Sequence, residues 1–186
     1  FNTIEGGAVC FKDEKLYPLL NQWKNFGITG PEDVEYVGGN AKMNEFCAAM
    51  GVCNLRHLDD EIEKRKIVAE RYWERLETVP GLTVFPPSDC VKHNYAYLPV
   101  LFDPHVFGST RDEVFDALDG VNVGARKYFY PLVSDFACYR SVYSSDRTPV
   151  AKKAASQVLT LPMYADLAVE DVDRICDVIL NIRKDI

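Results

Sequence analysis

The sequence predicts an α/β fold in which a small sheet has helices packed on one face. Past Pro80-Gly81, short runs of β-forming residues alternate with helical apolar patterns, in the order β-α-β-α-α. The chain has 186 residues, of which 47% are hydrophobic. This is enough apolar material for one ordinary domain, or for one domain and part of another.

The first half of the chain predicts a strand at residues 4–11 and helices at residues 13–26, 41–55 and 58–77. Asp13 is a suitable N-cap for the first helix, and Gly27 is a natural stop. The third helix is charged on most sides, which is typical of a helix that connects packing units. Pro80-Gly81 ends it and marks the clearest domain boundary in the sequence.

The second half predicts strands at residues 82–85 and 94–102, helices that begin near Thr110 and Pro149, an apolar segment at residues 159–163 and a last helix from Val169. Thr110 and Glu113 have the spacing of a capping box. Pro99 lacks a backbone N–H group, so it predicts an edge strand or a bulge.

Composition excludes several classes of protein. The net charge is −7 with lysines and arginines spread along the chain, which argues against nucleic-acid binding. No apolar run is long enough to cross a bilayer, so no membrane association is predicted. The six cysteines include no C-x-x-C pair, and the histidines lack metal-ligand spacing. These features predict reduced thiols in a cytoplasmic protein without a metal site.

One glycine-rich segment has two interpretations. Gly38-Gly39 precedes Asn40 and Lys42, which are predicted to stand at the start of an apolar helix. The simpler interpretation is a turn followed by a core helix. The alternative is an anion site, because the N-terminus of a helix attracts phosphates and carboxylates.

Four segments, read together, resemble one enzyme family. They are E-G-G-A at residues 5–8, G-N-A-K-M-N-E at residues 39–45, G-A-R-K-Y-F-Y-P-L at residues 124–132 and V-L-T-L-P-M-Y at residues 158–164. In this order they resemble the DegT/StrS family of sugar aminotransferases, which use pyridoxal 5'-phosphate. The resemblance extends from one end of the chain to the other.

The resemblance implies that the chain is the C-terminal part of a fold-type I pyridoxal-phosphate-dependent transferase. Residues 1–58 would be the tail of the large cofactor-binding domain, residues 59–80 a connecting helix, and residues 81–186 the small C-terminal domain. The chain begins at Phe1 without a methionine, so residues upstream are expected. The lysine that forms a Schiff base with the cofactor would be among them, which makes the 186-residue chain alone inactive.

The resemblance also implies binding roles for residues of the first two segments, E-G-G-A and G-N-A-K-M-N-E. Asn40 would donate to the cofactor phosphate of the neighbouring subunit in a homodimer. Glu5 and Gly6 would line the floor of the cofactor site, unless Glu5 is simply an exposed carboxylate at a strand end. Lys42 would lie near a substrate carboxylate or phosphate, where the family often has Arg; lysine keeps the charge but lacks the bidentate fork.

Arg126, Lys127, Tyr128 and Tyr130 form a second candidate site for the substrate. Arginine suits a diphosphate, and tyrosine can stack on or hydrogen-bond to a sugar or base. The alternative is an amphipathic edge strand whose tyrosine tips reach water.

The activity that the resemblance implies is a transamination. An amino group would move from glutamate to a nucleotide-linked 4-keto-6-deoxy sugar, in the biosynthesis of polysaccharides, O-antigen or other deoxyaminosugars. Two alternatives stay open. Related sugar dehydratases have histidine in place of the Schiff-base lysine, and the chain by itself would be a non-catalytic fragment that serves as a dimerisation or binding module.

Overall fold

The computed structural model describes residues 2–184; residues 1, 185 and 186, which the predicted domain ranges include, lie outside it. The chain divides between Asp59 and Asp60 into two compact units. The first unit contains α1 (Leu16–Lys24) and α2 (Glu45–Leu55). The elements that follow are α3 (Leu58–Leu76), β1 (Leu82–Thr83), β2 (Leu98–Phe102), α4 (Pro104–Phe107), α5 (Arg111–Asp119), α6 (Pro149–Gln157), β3 (Val158–Leu161) and α7 (Val169–Asn181).

The predicted strand at residues 4–11 is not formed. These residues have no regular secondary structure, and Ile4 has a φ of 64°. A strand needs a neighbour for its backbone N–H and C=O groups, and the described part of the first unit contains no strand. The prediction was wrong because it rested on the apolar residues alone, and a strand also needs a neighbouring strand to pair with.

Helix α2 begins later than predicted, at Glu45 instead of residue 41. Asn44 is its N-cap, because the Asn44 side chain accepts a hydrogen bond of 2.9 Å from the backbone N–H of Cys47. Asn40 lies four residues before this cap, where its backbone bridges that of Asn25. Asn40 and Lys42 therefore do not stand at a helix N-terminus, and the dipole argument for an anion site there is wrong.

The second unit contains a three-stranded antiparallel sheet with the order β1-β2-β3. Pro99 lies in the central strand, opposite Thr160 of β3. The Thr160 backbone N–H and C=O groups bond to Arg126 on its other side, so Pro99 and Thr160 do not exchange hydrogen bonds. The Pro99 nitrogen therefore faces the side of β1. The ladder between β1 and β2 ends at the pair Thr83–Leu101, so Pro99 interrupts none of its hydrogen bonds.

The core of the second unit lies on the face of Leu98, Val100 and Phe102. Helices α3, α5 and α7 cover this face with buried side chains at helical spacing: Val68, Tyr72 and Leu76 from α3, Val114 and Leu118 from α5, and Val172, Ile175 and Ile179 from α7. Helix α6 lies beside Pro99 and Leu101, which alternate to the opposite face. The predicted class, an α/β chain with a small sheet, is confirmed.

Helix α3 contributes buried residues to this core. Within residues 2–184, none of the helices combines the length and the apolar character that a membrane span requires.

Candidate functional site

In the second unit, residues 124–131 are held along the free edge of β3. The Arg126 backbone N–H donates to the Thr160 carbonyl at 2.9 Å, and its carbonyl accepts from Thr160. This bridge extends the sheet by one residue beyond β3. The segment that follows Arg126 therefore starts from the edge of the sheet.

The four predicted substrate-binding residues are brought together there. The Arg126 guanidinium bonds to the Tyr128 hydroxyl and lies 5.3 Å from the centre of the Tyr128 ring. The Lys127 ammonium forms an ion pair with Asp112 and lies 4.5 Å from the centre of the Phe115 ring. The Tyr128 ring stacks on Phe129 with 4.7 Å between ring centres.

Tyr130 rests on an arginine that the sequence analysis did not select. The Arg111 guanidinium lies 4.8 Å from the centre of the Tyr130 ring. Only 3% of Arg111 is exposed. Its sequence neighbours Thr110, Asp112 and Glu113 are polar and indicate a helix start. The signal that could have found Arg111 is its position on the same helical face as Val114 and Leu118, three and seven residues later, which predicts a buried side chain.

A cavity of about 520 Å³ lies against these side chains, lined by Phe115, Phe136 and residues 126–133. Two cations, Arg111 and Lys127, share the carboxylate of Asp112, and Arg126 adds a further positive charge at the cavity wall. The hydrogen bond from Lys127 lowers the pKa of Asp112 below its ordinary value, against the opposing effect of burial. Positive charge beside aromatic rings suits an anionic ligand that carries a flat or ring-shaped group.

The first unit places its predicted residues on the surface. Asn40 is exposed, and its side-chain amide has no hydrogen-bond partner among residues 2–184. Lys42 is held at the end of α1: its ammonium lies 3.1 Å from Asn25 Oδ1 and 4.1 Å from the centre of the Phe26 ring. The two groups remain accessible to a ligand.

Glu5 and Gly6 belong to the E-G-G-A segment, and Gly6 lies beside Met43 of the G-N-A-K-M segment. Glu5 is exposed. A Cβ atom on Gly6 would lie 2.1 Å from Thr3 Oγ1 and 2.8 Å from Met43 Cε, so a larger residue there would require the Thr3 and Met43 side chains to move. The E-G-G-A segment thus packs beside the G-N-A-K-M segment, and Thr3 Oγ1 is buried without a hydrogen-bond partner among the described residues.

A family model described as the DegT/DnrJ/EryC1/StrS aminotransferase family matches residues 1–180. The chain belongs to this family. The resemblance that the four segments indicated is confirmed.

Relatives within the family are nucleotide-sugar transaminases. A dTDP-4-amino-4,6-dideoxy-D-glucose transaminase of Escherichia coli is 40% identical over 181 residues, which are 96% of this chain and 48% of that protein. A protein of the same name from Shigella dysenteriae is 33% identical over 183 residues, 98% of this chain and 50% of its own. The chain spans about half the length of the curated relatives it matches.

Among solved structures, that of DesI in the presence of its TDP-sugar product has a TM-score of 0.81 at 29% identity, over 91% of this chain and 43% of that one. This likeness confirms the predicted fold class, part of a fold-type I pyridoxal-phosphate-dependent transferase.

Enzymes of this aminotransferase family use pyridoxal 5'-phosphate, and the residues present fit one edge of a site for it. The Asn40 amide is accessible and can donate a hydrogen bond to a phosphate. Lys42 adds positive charge two residues further on. These two residues could therefore contribute to a phosphate site.

Proposed function

We propose that this chain is the C-terminal portion of a pyridoxal-phosphate-dependent aminotransferase. The enzyme moves an amino group from glutamate to a nucleotide-linked 4-keto-6-deoxy sugar, in the biosynthesis of polysaccharides or deoxyaminosugars. The supporting observation is the cationic and aromatic cluster of residues 126–130 beside its cavity, in a family whose relatives are named as transaminases of such sugars.

The substrate would be bound through its charge and its rings. Arg126 and Lys127 would contact the diphosphate, because arginine and lysine both favour anionic oxygens. Tyr128 and Tyr130 would pack against the sugar or the base and orient it by hydroxyl contacts. The rigid edge of β3 would keep these groups in position between rounds of reaction.

The cofactor, when bound, would supply an electron sink for moving the amino group. Asn40 would donate a hydrogen bond to the phosphate of the cofactor that is bound in the neighbouring subunit of a homodimer. Lys42 would attract a substrate carboxylate or phosphate. Glu5 and Gly6 would lie at the floor of the same site. The cofactor-binding lysine would come from a part of the protein before this chain, so the chain alone would not catalyse the reaction.

The same reasoning assigns residues 1–58 to the large domain and residues 81–186 to the small one, joined by the helix between them. We place the enzyme in the cytoplasm, where its nucleotide-sugar and glutamate substrates would be available.

The test uses the full-length protein with glutamate and a dTDP-linked 4-keto-6-deoxyhexose. Formation of the 4-amino sugar, measured by mass spectrometry, is the expected result. Loss of a hydroxyl from the sugar without amination would instead identify a dehydratase. No change in the sugar would contradict the proposed activity.

Two variants test the residues. Arg126→Ala should raise the Michaelis constant for the nucleotide sugar by about tenfold or more, because a hydrogen bond to a charged group contributes about 1.5–3 kcal/mol. The Michaelis constant for glutamate should change far less. Arg174→Ala, at an exposed arginine of α7, is the matched control and should change neither. Equal effects of Arg126→Ala on both substrates would point to a folding role.

A further inference from the structure

We infer that Arg111 is a positioning residue for the nucleotide-sugar site, an inference that rests on the proposed function. Arg111 would not touch the substrate. It would hold Tyr130 and Lys127, two residues of the cluster, in the orientation that the substrate requires.

Arg111 is held by hydrogen bonds to two backbone carbonyls. Its Nη1 donates to the carbonyls of Ala155 and Val158, at 3.2 and 3.0 Å, where α6 passes into β3. These contacts join the start of α5 to β3, the strand that Arg126 bridges at Thr160. The guanidinium plane is thus fixed relative to the sheet.

Tyr130 packs against the same guanidinium. The ring centre lies 4.8 Å from Arg111 Cζ, within the range of a cation–π contact. Tyr130 itself is 55% exposed, and residues 129–131 belong to no helix or strand. The buried arginine therefore supplies a fixed surface on which an otherwise exposed ring rests.

Lys127 is oriented through Asp112. Arg111 Nε lies 2.9 Å from Asp112 Oδ1 as an ion pair without a hydrogen bond, and the same oxygen forms an ion pair with the Lys127 ammonium. One carboxylate is thus shared by a buried and a half-buried cation. It draws the Lys127 side chain towards α5 and towards the Phe115 ring at the cavity wall.

Capping of α5 does not explain a buried arginine here, because Thr110 and Glu113 already form a complete capping box. A buried charge is costly, and an apolar side chain of similar volume often serves packing as well or better. An apolar side chain would lose the hydrogen bonds to the Ala155 and Val158 carbonyls, which hold the arginine in the fold, and also the contacts to Tyr130 and to the Asp112–Lys127 pair. The first loss would lower stability, and the second would act on the cluster.

The experiment measures Michaelis constants and kcat for the full-length protein with Arg111→Met and Arg111→Lys. Arg111→Met should raise the Michaelis constant for the nucleotide sugar about five- to tenfold, the order expected for loss of a cation–π contact and of an oriented lysine. The constant for glutamate should stay within about twofold. Arg111→Lys, which keeps the charge, should recover a substantial part of the loss.

Two further variants separate positioning from folding. Arg75→Met is the matched control: Arg75 joins α3 to α7 through Asp173 and Asp177, so its loss should lower the melting temperature without changing either constant. Asp112→Asn keeps Arg111 in place and weakens the hold on Lys127, and it should raise the constant for the nucleotide sugar several-fold. Should Arg111→Met not fold, Arg111→Lys and Asp112→Asn carry the test.

The inference is overturned if Arg111→Met changes both constants equally or neither, or if Asp112→Asn leaves the constant for the nucleotide sugar unchanged. If the wild-type protein turns over normally and Arg126→Ala has a selective effect, either of these results would leave the proposed function unchanged. Absence of turnover by the wild-type protein would overturn both.

Discussion

Gly81 should be intolerant of any side chain. It joins α3 to β1 with a φ of 85°, and its carbonyl accepts from Asp103 at 2.8 Å. A Cβ atom there would lie 2.3 Å from the Phe107 backbone nitrogen and 2.7 Å from the Phe107 Cα. Because these are backbone atoms of a fully buried residue, no rotation of a side chain can relieve the clash.

Two costs add for Gly81→Ala. The left-handed conformation costs a residue with a Cβ atom about 1–2 kcal/mol. Forcing the Phe107 backbone away adds about 1–3 kcal/mol, as in overpacked cores. The sum, about 2–5 kcal/mol, is a large part of the total stability of a domain of this size.

Urea denaturation followed by the fluorescence of Trp73 measures this loss. The chain has two tryptophans, and a Trp23→Phe background leaves only the one in α3, beside the core of the second unit. With a typical dependence on urea, the midpoint should fall by about 1–3 M. Gly124→Ala is the control, because a Cβ atom there meets nothing within 4 Å. A midpoint for Gly81→Ala within about 0.3 M of the parent would refute the reasoning.

Three further results are expected. In the full-length protein, Asn40→Ala should weaken retention of pyridoxal phosphate on dialysis by about tenfold or more, measured by cofactor absorbance; unchanged retention would remove Asn40 from the site, and Asn21→Ala on exposed α1 is the control. The backbone N–H of Thr110, and after it the Lys184 ammonium, lower the pKa of Glu113 to about 2. The Glu113 carboxylate therefore contributes stability at pH values above the ordinary carboxyl pKa, and this contribution is lost as the pH falls towards 2. The stability of the Glu113→Gln variant should vary less with pH in that window, and a pH profile identical to that of the parent would argue against these contacts. Burial raises the pKa of Cys176 to about 12, so a thiol reagent should titrate the four exposed cysteines quickly and the two buried ones only after unfolding; six fast thiols would contradict the described core.

Local sequence signals predicted the helices well. The Thr110 capping box places α5 within one residue, and the apolar spacing of Val172, Ile175 and Ile179 defines the buried face of α7. Helices can be predicted in this way because their hydrogen bonds and caps lie within a few residues of one another. Strands were predicted less accurately: β2 begins at Leu98 instead of residue 94, since Tyr95 has a φ of 50° and bonds to His93.

The candidate site was predicted in part. Arg126, Lys127, Tyr128 and Tyr130 were selected from the sequence, and the structure brings them to one edge of β3. The binding roles of these residues, and those of Glu5, Gly6, Asn40 and Lys42, stay predictions. Arg111 was not selected, because a contact with a ring nineteen residues away leaves no local pattern.

The sequence by itself determined the family, the helices and the residue types of the cluster, because four motifs in order and the helical period are properties of the linear chain. Only the tertiary structure decided which apolar runs become strands, since residues 4–11 lack a partner strand among the described residues while Pro99 is accommodated in the centre of a sheet. It also decided that Asn44, not Asn40, caps α2. Pairing and burial depend on residues distant in the chain, and their energies exceed the local preferences that the sequence displays.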